Sequence, residues 1–263
     1  MTALALTDHG NMFGVKEFYD VCRKEGIKPI IGCETYVAAR SRFEKSDAKF
    51  DRSGEHLILL AKNIKGYKNL LKLISLANIE GFYYKPRIDK EILEKYSEGL
   101  IISSACLGGE IPQKIMSNNL TEADKTIEWF KRVFGDDYYL ELQRHPSELP
   151  QLRRDVYDRQ VEVNEQILKL AEKHQVKVIA TNDVHFINAE DADAHDLLIC
   201  LNTGKDLDDP DRMRYTKQEW FKTTAEMNEL FSDVPQAIEN TNEIIAKIEE
   251  FKLDSDPIMP DFP

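Results

Sequence analysis

The sequence lacks long apolar runs and has few cysteines. No stretch of about eighteen apolar residues occurs, and the first residues form neither a basic region nor a long apolar segment, so neither a membrane anchor nor a secretory signal is predicted. The 4 cysteines include no CxxC pair, which argues against a disulfide framework and against a structural zinc ribbon. These absences predict a cytoplasmic protein with reduced thiols.

Basic residues are also in short supply. The 35 Lys and Arg residues are outnumbered by 47 Asp and Glu residues, and the formal net charge is −12. Tight autonomous binding to a nucleic-acid backbone needs clustered positive charge, which this composition does not favour. A nuclease is not excluded, because metal sites are built from carboxylates and another domain can deliver the substrate. No phosphate-binding loop, Ser-His-Asp order or polymerase carboxylate set is evident, so the chain itself is not expected to polymerise DNA.

What the sequence does contain is an alternation of short β-rich runs with amphipathic helical patterns. Several runs are continuously apolar, as expected for parallel strands covered on both faces. The alternation predicts an α/β fold, and a strand/helix barrel of 263 residues is of ordinary size. The predicted strands are 2–7, 29–38, 56–61, 100–103, 138–143 and 176–181. The strand signal then fades, so we predict a barrel over 1–187 and an acidic helical appendage over 188–263.

Ionisable and sulfur-containing side chains fall at the ends of these predicted strands. In parallel barrels the loops at the carboxyl ends of the strands form the active face, so residues distant in sequence converge there. Asp183 and His185 have the i, i+2 spacing that places two side chains on one face of a strand. Asp8 and His9 are adjacent and should point to opposite faces. His9 is therefore the predicted ligand, and Asp8 either supports it in catalysis or orients the following turn.

Each candidate has a structural alternative when it is taken alone. A single histidine at a strand end is commonly a hydrogen-bonded structural residue, Cys106 can be a small buried residue, and Glu34 a salt-bridge partner. Taken as a set, the candidates form a mixed N/O/S group that suits zinc, manganese or iron. The predicted metal ligands are His9, Glu34, His56, Cys106, Asp183 and His185. His145 follows the fifth predicted strand, where a catalytic contact with substrate and a plain loop role are both open.

Several motifs resemble the polymerase and histidinol phosphatase (PHP) domain family. In order along the chain they are TDHGNMFG, IIGCETYV, EHLILLA, SACLGGE and TNDVHF. TDHG alone is a weak signal, but the ordered set is specific, and the resemblance extends over essentially the whole chain. The nearer likeness is to PHP domains of bacterial replicative DNA polymerases. The tail, with AEDADAHDLLICLNTG and the closing MPDFP, is similar to the region that leads into the polymerase body, which free-standing PHP phosphatases are not expected to carry.

The resemblance implies a distorted barrel of about seven strands that holds up to three ions of zinc, manganese or iron through nine ligands. The candidate ligands match six of those positions. The family's remaining ligands come from a first strand with a His-x-His motif and from a following acidic residue, which have no counterpart here. The first strand is therefore expected to be missing, and fewer ions to bind. We therefore expect the chain to be a fragment of a larger polymerase subunit. We also expect this fragment to be impaired in stability and in activity.

Three functions are open at this point. The first is a metal-dependent phosphoesterase, which in the intact polymerase would be a 3′–5′ exonuclease that removes misincorporated nucleotides. The second is a catalytically silent domain that supports the polymerase, its proofreading subunit and the sliding clamp, with metal as a staple for the fold. The third is a free-standing phosphatase, against which the tail counts. The expected partners are DNA, through the parent polymerase, and other replicase subunits, with no membrane contact.

Overall fold

The structure is a computed structural model that describes residues 1–254 and 259. Most of the closing MPDFP motif lies outside the described residues. The chain divides into two compact units. The first comprises Met1–Ile102 with Ile244–Pro263, and the second comprises Ser103–Glu243.

The described residues contain a strand that the sequence did not predict, β4, which has only two residues. The other strands agree with the predicted runs to within one or two residues at most ends. The strands are β1 (Ala3–Leu6), β2 (Lys28–Val37), β3 (Glu55–Ala61), β4 (Arg87–Ile88), β5 (Leu100–Ser103), β6 (Tyr138–Gln143) and β7 (Lys177–Thr181).

Helices separate most of these strands and make up the regular structure after β7. The helices are α1 (Val15–Lys24), α2 (Ala48–Asp51), α3 (Ile64–Ile79), α4 (Lys90–Lys95), α5 (Glu110–Met116), α6 (Leu120–Phe134), α7 (Pro150–Leu152), α8 (Asp158–His174), α9 (Ala192–Thr203), α10 (Thr224–Leu230) and α11 (Pro235–Lys247). A π-helical turn, Arg153–Tyr157, joins α7 to α8. Across the described part of the chain, no helix has both the length and the apolar character that spanning a membrane requires.

In the first unit, β2 is the central strand and has a partner on each edge. One edge pairs with β1 in parallel, Ala3 opposite Lys28, and further along with β4, Val37 opposite Ile88. The other edge pairs with β3, and this pairing is antiparallel. The sequence did not predict the antiparallel direction of β3, which follows from the connection: only the four-residue α2 lies between β2 and β3, and no crossover helix is present.

The predicted α/β class is confirmed, and the mixture of strand directions is consistent with a distorted rather than a regular barrel. The amphipathic stripe of α1 packs as the sequence predicted, with Val15, Tyr19 and Cys22 buried. Val15 and Tyr19 form a core with Ile31 of β2 and Ala61 of β3. Each large apolar side chain buried in this way contributes roughly 1.5–3 kcal/mol relative to an exposed one.

In the second unit, β6 and β7 pair in parallel, with Tyr139 opposite Lys177 and Gln143 opposite Thr181. Every residue of β6 is buried, which explains why its sequence is not a simple alternation of apolar and polar residues. The polar residues of β6 therefore need partners inside the unit. One such contact ties β6 to α8, where the Asn164 side-chain amide donates to the Gln143 carbonyl at 2.9 Å.

Candidate metal centre

Three predicted ligands from separate segments meet in the first unit: His9 after β1, Glu34 within β2 and His56 near the start of β3. His9 forms a parallel bridge with Glu34, and the β2–β3 register puts His56 opposite Tyr36. His56 Nδ1 lies 2.6 Å from Glu34 Oε1, and His9 Nε2 lies 3.4 Å from the same oxygen. One potential ligand atom from each residue lies within 4.8 Å of the other two. The antiparallel direction of β3 is the cause, since it brings the beginning of β3 beside the end of β2.

Glu34 is a buried carboxylate, with 5% of its surface exposed. Burial alone raises the pKa of a carboxyl group, but hydrogen bonds from His56 and His9 outweigh it and lower the Glu34 pKa to about 2. Glu34 is therefore ionised at neutral pH. An ionised carboxylate is the form that binds a cation.

The two imidazoles also pack against each other and against Tyr36. The ring centroids of His9 and His56 are 5.3 Å apart in an edge-on arrangement, and the Tyr36 ring lies 5.9 Å from His9 and 5.3 Å from His56.

Backbone geometry fixes the turn after His9, because Gly10 has a φ of +66° and its N–H donates to the Glu34 carbonyl at 2.9 Å. A Cβ at Gly10 would lie 2.7 Å from Cγ of Pro86. Glycine is thus required at this turn.

Asp8 contributes to the cluster through its backbone. Its carbonyl accepts the Glu34 N–H at 3.0 Å and the Cys33 thiol at 3.2 Å. Its side chain lines a cavity of about 390 Å³ between β1 and α1, with mostly apolar neighbours such as Leu6 and Phe18. A catalytic role for the Asp8 carboxylate stays a prediction.

The donor set of the cluster fits a divalent cation. Two imidazole nitrogens and one ionised carboxylate are ligand types that zinc, manganese and iron all accept. The three side chains come from segments held in place by backbone pairing, so they are positioned before any ion arrives. The donor types alone do not select one of these metals.

Cys106 and Asp183, in the second unit, follow β5 and β7 through turns with left-handed backbone. Ala105, just before Cys106, has a φ of +59°, and Asp183 has a φ of +45°. Such values are uncommon outside glycine and are frequent at functional sites. Asp183 and His185 do not lie on a strand, since β7 ends at Thr181, so the predicted i, i+2 strand spacing does not apply. The turn nevertheless brings His185 Nδ1 to 3.9 Å from Asp183 Oδ1.

The hydrogen bonds of His185 assign its tautomer. Nδ1 donates to the Asp183 carbonyl at 2.7 Å, so Nε2 carries the lone pair and accepts the Tyr215 hydroxyl at 3.1 Å. Nε2 is therefore the nitrogen available to a metal ion. The rings of Tyr215 and His195 lie 4.6 Å and 5.7 Å from the His185 ring.

Tyr215 and His195 were not among the candidate site residues. His195 is half-buried against Phe186 and Tyr215, with ring centroids 5.2 Å and 4.9 Å away. Burial lowers the pKa of His195, and the neighbouring His185 lowers it further. Both residues belong to the predicted appendage, where no strand end or spacing singled them out.

His145 is buried, with 2% of its surface exposed. Its Nε2–H donates to the Asn182 carbonyl at 3.1 Å, and Nδ1 accepts the Gln160 side-chain amide at 3.0 Å. Burial lowers the pKa of His145, and this effect is larger than that of the negative charge of Glu219, which raises it. The ring is therefore neutral at neutral pH. In this structure His145 supports the backbone directly before Asp183. A contact with substrate stays a prediction.

The fold and these clusters define an α/β domain whose strand ends present histidine and acidic side chains suited to metal. The chain belongs to the PHP domain family, whose model matches residues 1–145. The resemblance recognised from the motifs is confirmed.

The chain is also similar to much longer proteins. It is 49% identical over 264 residues to DNA polymerase III subunit alpha of Borreliella burgdorferi, with 100% of this chain and 22% of the relative covered. The same-named subunit of Campylobacter jejuni is 42% identical over 273 residues (99% and 22%), and that of Thermus aquaticus is 43% identical over 247 residues (92% and 19%). The chain therefore spans about a fifth of the length of these relatives.

Proposed function

We propose that this chain is the PHP region of a replicative DNA polymerase alpha subunit and that it acts as a metal-dependent phosphoesterase. The names and identities of the long relatives support the first part. The observation that carries the second part is the convergence of His9, Glu34 and His56, with ligand atoms within 4.8 Å of one another.

A divalent ion, when bound, supplies a polarised water and positive charge for the phosphoryl oxygens. His9 and His56 would hold it through imidazole nitrogens, and Glu34 through a carboxylate that burial and hydrogen bonding keep in place. In the second unit, Cys106, Asp183 and His185 are proposed as metal ligands, His185 through the Nε2 atom that its Asp183 contact leaves with a lone pair. Zinc, manganese or iron is the proposed metal, since all three accept these donors.

The proposed substrate is a DNA 3′ end, and the proposed reaction is 3′–5′ exonucleolytic removal of a nucleotide. The net charge of −12 supports delivery of that end by another region of a longer protein rather than capture by this chain. Asp8 and His145 enter the proposal as positioning residues. Asp8 holds the Glu34 backbone through its carbonyl, and His145 holds the Asn182 carbonyl.

The test is an exonuclease assay on the longest natural form of the protein, with a labelled single-stranded DNA and added Mn²⁺ or Zn²⁺. The wild type should release 3′ nucleotides, and the double variant His9→Ala, Asp183→Ala should lose at least about 100-fold of that rate, since both substitutions remove proposed ligands. The variant His174→Gln is the matched control, because His174 also bonds a carboxylate, Asp124, but lies outside the proposed ligands. Equal rates in the wild type and the double variant would sink the catalytic proposal.

A second candidate is a structural role, in which metal cross-links the segments that carry His9, Glu34 and His56. The observation in its favour is that these residues come from three different segments, so one ion would join β1, β2 and β3. This role predicts that ligand substitutions lower the melting temperature and any polymerase activity of the longer protein while leaving exonuclease rates unchanged. A free-standing phosphatase has less support, because the relatives carry a polymerase name.

The proposed setting is the cytoplasm, with a proofreading subunit and a sliding clamp as partners of the longer protein. The name and length of the relatives support this setting. Co-purification of the longer protein with those subunits, compared between the wild type and a form without residues 1–263, would test whether this region contributes to their binding.

A further inference from the structure

A buried carboxylate, Glu141 of β6, lies in the second unit with 5% of its surface exposed. Its Oε1 accepts the Ser103 hydroxyl and the Ala105 N–H, the latter at 3.2 Å. Its Oε2 accepts the Thr181 hydroxyl at 2.6 Å and the Gln143 side-chain amide at 3.4 Å. One side chain is therefore hydrogen-bonded to the last residue of β5 and to the last residue of β7.

The residues that bond to Glu141 lie just before two proposed metal ligands in the sequence. Ala105 immediately precedes Cys106, and Thr181 comes two residues before Asp183. Ala105 and Asp183 are also positions where a non-glycine residue has left-handed backbone, with φ of +59° and +45°. Conformations of this kind persist only where surrounding contacts impose them. The Glu141 bond to the Ala105 N–H is such a contact for the turn that carries Cys106.

The chemistry of Glu141 argues against a role in packing alone. A buried carboxylate is costly unless hydrogen bonds satisfy it, and an apolar side chain fills the same space at lower cost. The donors named above hold both carboxylate oxygens. The backbone of Glu141 is tied as well, since its N–H donates to the Ser104 hydroxyl at 2.8 Å. The result is a fixed, bidentate acceptor that binds both strand ends.

We propose that Glu141 is a positioning residue, which fixes the turns after β5 and β7 so that Cys106 and Asp183 are presented as metal ligands. The role in ligation rests on the proposed metal function, whereas the fixing of the turns does not. Loss of a residue that holds a metal ligand in place typically changes metal affinity by about 10- to 100-fold. Glu141 would act in this way through Ala105 and Thr181, one and two positions before Cys106 and Asp183.

The first experiment needs no metal and measures the reaction of Cys106 with a thiol reagent in the native chain. Cys106 is the one partly exposed cysteine, since Cys22, Cys33 and Cys200 are buried. The variant Glu141→Ala should raise the Cys106 rate by about tenfold, the factor expected from losing a hydrogen bond to a charged group. Glu141→Gln, which accepts at only one end of the side chain, should give an intermediate rate.

The matched control is Asn240→Ala. Asn240 is 6% exposed and donates to the Val178 carbonyl at 2.8 Å. Its loss removes a buried hydrogen bond to β7 at the end of the strand opposite to Thr181. Melting temperatures show whether each variant is folded, and Glu141→Gln keeps the test available if Glu141→Ala does not fold. A Cys106 rate in both Glu141 variants that stays within about twofold of the Asn240→Ala rate overturns the proposal.

The second experiment titrates Co²⁺ into the same variants and follows the near-ultraviolet absorption of cobalt bound to thiolate. We expect the wild type to develop the band and Glu141→Ala to need at least about tenfold more Co²⁺ while Asn240→Ala behaves as the wild type. If the wild type binds no Co²⁺, the proposed metal site fails, and the thiol comparison still decides whether Glu141 fixes the turn. If the wild type and Glu141→Ala titrate alike, the positioning role in ligation fails and the metal site stands.

Discussion

His56 and Glu34 lie on neighbouring antiparallel strands, and Nδ1 of His56 is 2.6 Å from Oε1 of Glu34. The register pairs Glu34 with Ile58 and Tyr36 with His56, so Glu34 and His56 emerge on the same face of the sheet. A slip of one residue would turn His56 to the other face. The pairing of β2 with β3 is therefore as much a determinant of the cluster as the identity of its side chains.

Metal should stabilise the chain through this cluster. At a Mn²⁺ concentration about 100 times its Kd, binding to the folded state alone adds about 2.7 kcal/mol to the free energy of unfolding. His56→Ala should abolish the gain, whereas His174→Gln should retain it, because His174 contacts Asp124 and not the cluster. Thermal unfolding with and without Mn²⁺ measures the effect. An equal metal-induced shift in all three proteins would contradict the assignment.

The native chain should show one rapidly reacting thiol. Burial raises the pKa of Cys33 to about 12 and also raises that of Cys22, so both are protonated thiols at pH 8 and poor nucleophiles. Cys200 is buried with 7% exposure. We expect alkylation at pH 8 to modify Cys106 first and all 4 cysteines after denaturation. Rapid modification of the variant Cys106→Ser would show this picture of burial to be wrong.

Replacing Tyr215 with Phe should tighten metal binding. The Tyr215 hydroxyl donates to Nε2 of His185 at 3.1 Å, the atom that an ion would need, so the bond must break on binding. A hydrogen bond of this type is worth about 0.5–1.5 kcal/mol net, which corresponds to roughly 2- to 10-fold in affinity. Tyr19→Phe is the control, since it removes a hydroxyl bonded to the Phe251 carbonyl. Measurement of the Co²⁺ Kd of both variants tests this prediction. Weaker binding in Tyr215→Phe would refute the competition between the Tyr215 hydroxyl and a metal ion for Nε2 of His185.

The ion pairs of Asp124 predict a defined acid dependence of stability. Hydrogen bonds from Lys173 and then His174 lower the pKa of Asp124 from its ordinary value of 3.8. A carboxyl group with a lowered folded pKa stabilises the fold above its unfolded pKa and loses that contribution as the pH falls through the folded pKa. Asp124→Asn should therefore cost about 1 kcal/mol at pH 7, and the difference from the wild type should shrink below about pH 3.8. Urea unfolding at several pH values tests this, and a difference that grows on acidification would contradict it.

Gly66 is expected to resist substitution although it lies within a helix. Gly to Ala in a helix interior ordinarily stabilises by about 1 kcal/mol. At Gly66 of α3 a Cβ would lie 1.7 Å from the Gly99 carbonyl oxygen, so Gly66→Ala should instead destabilise by about 2 kcal/mol or more. Ser75→Ala, at an exposed site in the same helix, should change stability little. If chemical denaturation finds Gly66→Ala as stable as the wild type, the close approach of α3 to Gly99 is wrong.

The sequence predicted most strands and the positions of the ligand candidates because strand ends carry local signals: apolar runs followed by His, Cys or Asp. It did not predict the direction of β3, since pairing direction depends on which crossover the chain makes, and α2 is too short to supply one. Nor did it predict the Asp183 turn, because a left-handed Asp has no clear local signature. Tyr215 and His195 were missed because only tertiary packing places them beside His185.

Division of the chain after residue 187 stays a prediction. The helical character predicted for 188–263 is confirmed for the described part of that segment, where α9, α10 and α11 follow β7. The compact units divide instead at Ile102 and Ile244, so sequence composition and tertiary contacts mark different boundaries. Limited proteolysis would report which of these positions is accessible to cleavage.

Metal content measured by equilibrium dialysis and elemental analysis tests the central claim most directly. The wild type and the double variant His9→Ala, His56→Ala would be dialysed against the same low concentration of Mn²⁺ or Zn²⁺, with His174→Gln as the control. We expect bound metal in the wild type and the control, and a loss of about one ion per chain in the double variant, since two of the clustered donors are gone. Equal metal content in the wild type and the double variant, or none in the wild type, would contradict it.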